Sequence, residues 1–471
     1  MIYRRTINII VFLITASLLL FACATQPATM PVIHIDPPLR TEISEPDYDK
    51  KIDSIQIIKL HLLMVSDSFN AITEELGIAV LDDFYDWIID NFGVDTLCEF
   101  ADAALEGEIT ADTLRAITGY GLHAFNDLYN GRLDIHNENY LSNIINLGFT
   151  DDGVIKLGFV GDVSLADNWK IMPKYDSRGK GISGILSDEI VEIMKSVDVM
   201  VANNEFALSD RGAPIPRKAF TFRGTPSRVD IWHEMGVDLV TLANNHVYDF
   251  GEDAFLDTLE ALDNAGIARM GAGRDIEEAS RPVYYIINGY KIAFVAGTRA
   301  EKNIFTPEAK LAGEENSSGV LRTYDSALLC AAIEQAKKQS DFVIVNVHWG
   351  AEHSTVIEHA QITMGKQYID SGADLIIGHH AHNLQGFDSY KGKIIAYNLG
   401  NFIFNNASVS TGILVARINT NGELTSEFIP GYQQNCYTRL SVGSEYESIL
   451  KHLRSISFKV DISENGAVTP K

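Results

Sequence analysis

The stretch 374–405 constrains the fold of this chain most, because a cluster of histidines follows a short apolar run in it. His379, His380 and His382 come directly after Leu-Ile-Ile-Gly, and Asn401 lies shortly downstream. An apolar run of strand length that ends in glycine and polar residues is typical of a buried strand with functional groups at its carboxyl end. Three histidines within four residues at such an end indicate a functional site rather than packing.

The amino-terminal residues have the order of a secretory signal. Arg4 and Arg5 precede the apolar stretch 7–22, and Cys23 follows it. Basic, then apolar, then small residue and cysteine resembles the lipobox of bacterial lipoproteins. The apolar stretch is short for a membrane span, so we interpret 1–23 as a cleaved signal peptide and Cys23 as the lipidated residue. An uncleaved anchor is the alternative. Either reading predicts an extracytoplasmic, membrane-attached protein.

The charge is strongly acidic and unevenly distributed. The net charge is −25, and residues 24–152 alone contain 24 acidic and 6 basic residues. Phosphate backbones need a basic face, so this balance predicts that nucleic acid is not a partner. It also predicts that the folded part does not adhere to an anionic membrane by charge, and that a lipid anchor holds it there.

The composition and the spacing of apolar residues change several times along the chain. Residues 24–50 are rich in proline, threonine and acidic residues, which predicts a flexible tether. Residues 51–150 have helical spacing punctuated by glycines, which indicates a small helical accessory region, with a partner-binding domain as the alternative. From 155 to about 430, short apolar strands alternate with helices, which is typical of an α/β fold with mixed sheets. Residues 431–471 form the expected C-terminal tail, with a helix and a frayed end after Val442.

Polar clusters follow five of the predicted strands. They are Gly161-Asp162, Asn203-Asn204-Glu205, Asn244-Asn245-His246 with Asp249 close behind, His348-Trp349-Gly350, and the 379–382 group. In a largely parallel sheet these ends meet along one edge. Imidazole, carboxylate and amide oxygen together suit Mn²⁺, Fe or Zn²⁺. The pattern therefore predicts a divalent metal site, in which a carboxylate can bridge two ions about 3.5–4 Å apart.

These motifs resemble the CapA family, which is associated with bacterial poly-γ-glutamate capsule synthesis. The resemblance rests on Asn203-x-Glu205, Asn244-Asn245-His246-x-x-Asp249-x-Gly251, Val347-His348-Trp349-Gly350, Gly378-His379-His380-x-His382 and Leu399-Gly400-Asn401-Phe402-Ile403. It covers about 155–430 and leaves out the amino-terminal helical region. Because that family is related to the calcineurin-like metallophosphoesterases, the resemblance implies a four-layer α/β/β/α sandwich with a two-metal site.

The resemblance also implies roles for single residues. It makes Asp162 the first metal-binding aspartate and Glu205 the bridging carboxylate, with Asn245, His348, His380 and His382 as the other ligands. His246 would protonate a leaving oxygen, with Asp249 as its catalytic partner. The chain departs from the phosphoesterase pattern at Ser164, where those enzymes have a histidine, and at Glu205, where they have an aspartate. Whether one ion or two are bound is therefore left open.

Five residues are candidates for contacts with an anionic substrate. Lys218 and Arg223 belong, with Arg217, to a basic island in PRKAFTFRGTP, and guanidinium groups can hold carboxylate or phosphate in two-point contacts. Asn204, His379 and Asn401 complete the set. A solvated loop of surface charges is the alternative interpretation of the island.

Two functions follow from these observations. The first is an exported CapA-type lipoprotein in capsule or exopolymer synthesis with a metal-dependent hydrolase site, phosphoesterase-like or acting on γ-polyglutamate. The second is a non-catalytic component that binds an anionic polymer for export. Capsule-synthesis membrane proteins are candidate partners in both.

Overall fold

The computed structural model describes residues 82–129 apart from 94, 98, 101–102 and 104–109, and residues 143–471 apart from 301 and 303. The chain divides into two compact units, Met1–Thr118 and Gly119–Lys471. The expected signal peptide with Cys23, the expected tether 24–50 and residues 51–81 lie outside the described residues. Within the described ranges, no helix combines the length and the apolar character that crossing a bilayer requires.

Two described helices belong to the first unit, α1 (Asp82–Phe92) and α2 (Ala111–Thr118). The hydroxyl of Thr110 accepts a hydrogen bond from the backbone N–H of Thr113, which caps the amino end of α2. Ile88 in α1 and Leu114 in α2 are buried, and polar residues beside them are exposed. Both helices therefore have the amphipathic pattern that the sequence predicted for this region.

The second unit alternates strands with helices. Its helices are α3 (Leu122–Tyr129), α4 (Ile171–Arg178), α5 (Asp188–Lys195), α6 (Asp230–Met235), α7 (Glu252–Ala265), α8 (Ile276–Ser280), α9 (Ala327–Lys337), α10 (His359–Asp370) and α11 (Gly443–Ile456). Its strands are β1 (Ile144–Gly148), β2 (Ile155–Val163), β3 (Val199–Asn204), β4 (Ala207–Leu208), β5 (Arg223–Gly224), β6 (Leu239–Thr241), β7 (Ala268–Met270), β8 (Ala272–Gly273), β9 (Val283–Ile287), β10 (Tyr290–Thr298), β11 (Gly319–Val320), β12 (Phe342–His348), β13 (Leu375–His379), β14 (Phe387–Tyr390), β15 (Lys393–Ala396), β16 (Asn401–Ile403), β17 (Val409–Ile418), β18 (Leu424–Gln433), β19 (Thr438–Leu440), β20 (Val460–Ile462) and β21 (Ala467–Pro470).

These strands form two large mixed sheets. The first has the order β1-β9-β10-β12-β13-β15-β14, and the second has the order β20-β21-β18-β17-β2-β3-β6-β7 with β16 paired to β2 and β19 to β18. The runs β10-β12-β13-β15 and β2-β3-β6-β7 are parallel, whereas β17 and β18 form a long antiparallel ladder. The expected mixed α/β fold is confirmed.

Within the described residues, alternation of side chains across the strands divides most apolar side chains of the two large sheets among three large cores. One core combines the inner faces of both sheets, including Phe159 of β2 and Phe294 of β10. A second joins the other face of the β2 sheet to helices α4 to α7, with Trp232 and Phe255 among its members. The third joins the other face of the β12 sheet to α9 and α10, where Tyr368 is fully buried.

Strands β9 and β10 form a β-hairpin over residues 283–298. Strands β9 and β10 pair antiparallel, and Asn288 and Gly289 connect them with positive φ angles of 50° and 69°. Both central residues of a type I′ turn need positive φ, and Asn-Gly is the sequence that adopts it most readily.

Three expectations were wrong. Residues 144–148, expected to be helical, form β1, which pairs in parallel with β9. The expected frayed end forms β20 and β21, and β21 extends the sheet at β18. The five strand ends with polar clusters do not share one sheet, because β2, β3 and β6 belong to one sheet and β12 and β13 to the other.

Candidate metal centre

Asp162 lies at the end of β2, where two backbones approach very closely. Its N–H donates to the carbonyl of Gly400 over 2.9 Å. A Cβ atom added at Gly161 would lie 1.8 Å from the same carbonyl oxygen. Only glycine fits at position 161, because any side chain would push β2 away from the strand that follows Gly400. The Gly-Asp pair therefore fixes the aspartate at this edge.

Asn203 connects the carboxylates at the ends of β2 and β3. Its amide nitrogen lies 2.8 Å from Oδ1 of Asp162 and 3.1 Å from Oε2 of Glu205. Its amide oxygen accepts a hydrogen bond from Asn244, which follows β6. The end of each of these three strands is thereby tied to the next.

The histidines after β13 lie in a strained turn. His380 and His382 have positive φ angles of 93° and 57°, a region that residues with side chains seldom adopt. Gly378 precedes the turn, and a Cβ there would lie 1.9 Å from the carbonyl oxygen of Tyr397. This backbone path directs the imidazole of His382 towards Asp162, with Nδ1 3.0 Å from Oδ2. It places the ring of His380 beside that of His348, with 4.6 Å between the ring centroids.

Two buried groups of side chains could hold metal ions. Glu205, His348 and His380 form one, and Asp162, Glu205 and His382 form the other, with the ligand atoms of each group within 4.8 Å of one another. Glu205 belongs to both. The structure therefore brings together the six residues expected as ligands, since Oδ1 of Asn245 lies 2.7 Å from Nε2 of His348.

The free atoms in this cluster fit a cation. Among the described residues, Oε1 of Glu205 is buried without a hydrogen-bond donor, although Nε2 atoms of His348, His246 and His382 lie 3.7, 3.9 and 4.0 Å away. Nδ1 of His380 is likewise buried with no partner in that part of the chain. Gaps of this size are too long for hydrogen bonds. They suit atoms that face a common ion with bonds of about 2.0–2.2 Å.

The electrostatics of the cluster lead to the same conclusion. Burial, and then the negative charge of Asp162, raise the pKa of Glu205 well above its usual value. Burial also raises the pKa of Asp162, but the hydrogen bond and charge of His382 outweigh it and leave that pKa low. Burial lowers the pKa of His380 to about 3 and lowers the pKa of His348 strongly. The imidazoles of His380 and His348 are therefore neutral, as metal ligands must be, and a cation would offset the buried carboxylates.

His246 is held at the border of the cluster by Asp249. Nδ1 of His246 lies 2.7 Å from Oδ2 of Asp249, and the same oxygen accepts a hydrogen bond of 2.7 Å from the N–H of Phe222. Lys218 approaches the other carboxylate oxygen of Asp249 to 2.7 Å and also donates to the backbone carbonyl of Asn245. This arrangement leaves Nε2 of His246 facing the ligand cluster.

Two of the five candidate substrate contacts, Lys218 and Arg223, are bound to other parts of the protein. The side chain of Lys218 is only 4% exposed and is bound to Asp249. Arg223 donates to the carbonyls of Arg211 and Gly212 and stacks on Phe250, so its guanidinium binds the loop. The expectation that these two cations are available to a ligand stays a prediction.

The other three candidates are buried at the cluster. Asn204 donates to the carbonyl of Phe206, and His379 lies between Asp162 and Asn346. Within the described ranges, the amide oxygens of Asn204 and Asn401 have no hydrogen-bond partner.

Sequence reasoning missed two contributors to the site. Asn203 belongs to a sequence motif but received no role of its own, although its amide nitrogen binds both carboxylates. Its place in a polar triplet after a strand is a signal that sequence reasoning could have used. Thr306 donates to the carbonyl of Asn245 over 3.0 Å from a loop 61 residues away. Nothing in the local sequence marks that residue.

Known proteins similar to this chain carry related names. Residues 156–406 match the family model described as bacterial capsule synthesis protein PGA_cap. The capsule biosynthesis protein CapA of Bacillus anthracis is 34% identical over 202 residues, which are 42% of this chain and 48% of that protein. The PGA biosynthesis protein CapA of Bacillus subtilis is 29% identical over 255 residues, 54% of this chain and 64% of that protein.

A solved structure of a hypothetical protein from Thermus thermophilus is also similar. It is 16% identical, covers 60% of this chain and 100% of its own, and has a TM-score of 0.36. That score carries no structural argument, so the fold rests on the strands and helices of this chain alone.

The chain spans between about half and two thirds of the length of the two CapA proteins it matches. The match to the family model is longer, since it includes more than half of the 471 residues. It contains all the motifs on which the resemblance rested. This chain therefore belongs to the CapA family of bacterial capsule synthesis proteins.

Proposed function

We propose that this protein acts in the synthesis of a capsule or related exopolymer and carries a metal-dependent hydrolase site. The family and the names of the two relatives, capsule biosynthesis and PGA biosynthesis, support the first part. A single observation carries the second part. In the described part of the chain, the carboxylate of Glu205 lies buried among imidazoles without a hydrogen-bond donor at Oε1, and it belongs to both ligand groups.

The fold proposed for the family domain is the four-layer α/β/β/α sandwich. The support is the order of the three cores: one lies between the sheets, and each of the other two lies between a sheet and helices. In such an arrangement the candidate metal centre lies where the carboxyl ends of β2, β3 and β6 meet those of β12 and β13.

The residues proposed to hold the metal are Asp162, Glu205, Asn245, His348, His380 and His382. Their mixture of imidazole, carboxylate and amide oxygen suits Mn, Fe or Zn. When bound, such an ion supplies Lewis acidity, which polarises an ester or acyl oxygen and lowers the pKa of water.

His246 and Asp249 are proposed to handle the proton. Because Asp249 accepts from Nδ1, the ring of His246 is fixed in orientation, and its Nε2 faces the ligand cluster. Lys218 and the N–H of Phe222 hold the carboxylate of Asp249 in turn. With Nδ1–H bound to Asp249, His246 holds a proton at Nε2 only as the imidazolium; burial lowers the pKa of this histidine, and the charge of Asp249 opposes that effect. In that charged form His246 would donate the Nε2 proton to the leaving oxygen of the substrate and return to the neutral ring, a step that positioned histidines accelerate by about 10²–10⁴-fold.

The test is metal content measured together with hydrolysis. Wild type, His246→Ala and the control His359→Ala, which changes an exposed histidine of α10, are assayed with small phosphoesters and with γ-linked glutamate polymer in Mn²⁺, Fe²⁺ or Zn²⁺. We expect His246→Ala to keep its metal and to lose about 100-fold or more of the hydrolysis, with the control unchanged. A wild-type protein that binds metal and hydrolyses none of these substrates would contradict the enzyme.

Ser164 favours a second candidate function, a non-catalytic component that binds an anionic polymer for export. Its hydroxyl is buried with no hydrogen-bond partner among the described residues, at the position where the related phosphoesterases have a histidine. One ion would then be held by fewer imidazoles than in those phosphoesterases. Polymer binding without turnover, equal in wild type and His246→Ala, is the result expected for this function.

The proposed location is the outer face of a membrane, with lipid attached at Cys23 and capsule-synthesis membrane proteins as partners. The order of residues 4–23 supports this part. Cys23→Ser should release the protein from membranes in cell fractionation. Continued membrane association of that variant would instead favour an uncleaved anchor.

A further inference from the structure

A row of positive charges lies beside the loop that follows Asp162. Lys170, Lys174 and Arg178 are spaced by four residues along α4 and its amino-terminal cap, so they share one face of the helix. We call these three residues the basic stripe. Like charges at this spacing repel one another. They form a positive surface in a protein whose net charge is −25.

The two lysines of the stripe are not neutralised by a carboxylate of the described ranges, since neither Lys170 nor Lys174 forms an ion pair there. The acidic residues nearest to them in sequence, Asp167 and Asp176, are both bound to Arg228 at 2.7 Å. Their charges are therefore already compensated, and the lysines remain available to an anion.

Arg178 adds a third positive charge that binds backbone rather than carboxylate. Its guanidinium donates to the backbone carbonyls of Asn435 and Cys436 over 2.8 and 2.9 Å. Burial raises the pKa of the Cys436 thiol, and the opposing positive charges of Arg178, Lys174 and Lys170 all act on it. Both ends of the stripe lie next to this residue, because the thiol of Cys436 also donates to the backbone carbonyl of Lys170 over 3.4 Å.

An aromatic row connects this region with the candidate metal centre. Phe220 is 56% exposed, and its ring centroid lies 5.7 Å from that of Trp169. Trp169 lies 4.9 Å from Phe222, which in turn lies 4.4 Å from the ring of His246. Lys170 places its ammonium 5.3 Å from the Trp169 ring. The stripe and the aromatic row therefore meet at Trp169.

A cavity of 480 Å³ lies at this meeting point. Its lining includes Trp169, Lys170, Lys174 and Ser177. Aromatic, cationic and hydroxyl groups are thus presented side by side on one surface. Such a surface can contact both the apolar backbone and the charged groups of the same ligand.

We propose that the basic stripe and the aromatic row bind a linear acidic polymer with a carboxylate on each repeating unit and direct it to the metal centre. This inference rests on the proposed function, in which that centre acts on or grips such a polymer. Successive cations of the stripe are about 6 Å apart along the helix axis, so one small anion cannot contact all three. A chain of repeating charges can.

The charge of the whole protein favours a polymer over an anionic membrane as the occupant. A net charge of −25 repels a flat anionic surface, whereas a single flexible chain approaches the stripe alone. The apolar part of the site is a narrow row that ends at a buried histidine, rather than a broad face for insertion into lipid.

The test compares two double charge reversals with equal change in net charge. The full-length chain loaded with Mn²⁺ is titrated with γ-linked glutamate polymer of defined length. Lys170→Glu with Lys174→Glu is compared with Lys338→Glu and Lys451→Glu, which alter exposed lysines elsewhere. We expect the stripe variant to bind the polymer about 10-fold or more weakly, the control to stay within about twofold, and wild-type affinity to fall with salt.

The aromatic row is tested with a matched pair of exposed phenylalanines. Phe220 is 56% exposed and Phe458 is 50% exposed. Phe220→Ser should weaken polymer binding by about threefold or more, as expected for a lost stacking surface, and Phe458→Ser should leave it unchanged. Equal polymer affinity of the two variants would remove the aromatic row from the proposal.

The outcomes separate this inference from the proposed function. Loss of polymer binding in the stripe variant, with metal content and turnover of a small phosphoester kept, supports the inference. The inference is overturned if the stripe variant binds the polymer as tightly as wild type does, or if wild type does not bind the polymer. It is also overturned if the stripe binds anionic phospholipid vesicles instead of the polymer. Absence of hydrolysis in wild type, with stripe-dependent polymer binding retained, contradicts only the enzyme.

Discussion

The ammonium nitrogen of Lys218 lies 2.7 Å from Oδ1 of Asp249, and both side chains are almost completely buried. This ion pair holds the carboxylate that orients His246, and the same lysine donates to the backbone of the expected ligand Asn245. The lysine that the sequence suggested for substrate binding thus also holds two parts of the site, the carboxylate of Asp249 and the backbone of Asn245.

Replacing that lysine should cost stability. Lys218→Met keeps the length of the side chain but leaves the carboxylate of Asp249 buried without its cation. Breaking a buried pair in this way costs about 3–5 kcal/mol. Urea unfolding of Lys218→Met should show that loss, whereas Lys338→Met, at an exposed lysine, should stay within about 0.5 kcal/mol of wild type. A loss below about 1 kcal/mol in Lys218→Met would show that the pair is not important for stability.

Glu205→Gln should reduce metal binding much more than Glu352→Gln does. Glutamine keeps the size of the side chain but removes the charge that both ligand groups share. We expect the metal content per chain, measured by elemental analysis after dialysis, to fall to less than about half. Glu352→Gln, at an exposed carboxylate, is the control and should keep its metal. Equal metal content in the two variants would rule out Glu205 as a shared ligand.

Asp238 should make the protein less stable at neutral pH than at mildly acidic pH. Burial raises its pKa from 3.8 to about 6, so the folded state binds this proton more tightly than the unfolded state does. The stability that Asp238 contributes is fully present below about pH 4 and is lost as the pH rises through 6.

Asp238→Asn is the test of this pH dependence. Asparagine can still accept the hydrogen bond from the N–H of Met200. We compare the free energy of unfolding of the variant with that of wild type at each pH. The difference between them should shift in favour of the variant by up to about 3 kcal/mol from pH 4 to pH 7. The comparison is made by urea unfolding, with Asp210→Asn as an exposed control. If Asp238→Asn differs from wild type by the same free energy of unfolding at both pH values, the raised pKa of Asp238 is contradicted.

Gly161→Ala should disrupt the junction that positions Asp162. The added Cβ would lie 1.8 Å from the carbonyl oxygen of Gly400, which is backbone and cannot move aside. We expect a loss of about 3 kcal/mol or more in unfolding free energy, at the upper end of the costs of overpacking. Gly184→Ala is the control, since its Cβ would meet only side-chain atoms at 3.4 Å or more. Equal stability of the two variants would mean that the junction is not tightly packed.

The sequence predicted the local features of the site well. Each polar cluster follows a strand whose apolar run is visible, and the ligand groups form where expected because strand ends carry their side chains to an edge. The turn at Asn288-Gly289 was also predictable, since those two residues prefer positive φ.

What the sequence did not reveal depends on contacts distant along the chain. The division of the strand ends between two sheets is set by crossovers, not by the strands themselves. The burial of Lys218 depends on Asp249, which comes much later in the chain, and the contact of Thr306 with Asn245 spans 61 residues. Strand β20 (Val460–Ile462) has only two buried apolar side chains, too few for a periodic pattern.

The most direct test of the metal centre is an anomalous difference map from crystals grown with Mn²⁺. The account predicts a peak within about 2.0–2.3 Å of a carboxylate oxygen of Glu205, bordered by His348 and His380 or by Asp162 and His382. A fully loaded crystal with its Mn²⁺ elsewhere, and no peak at Glu205, would contradict it.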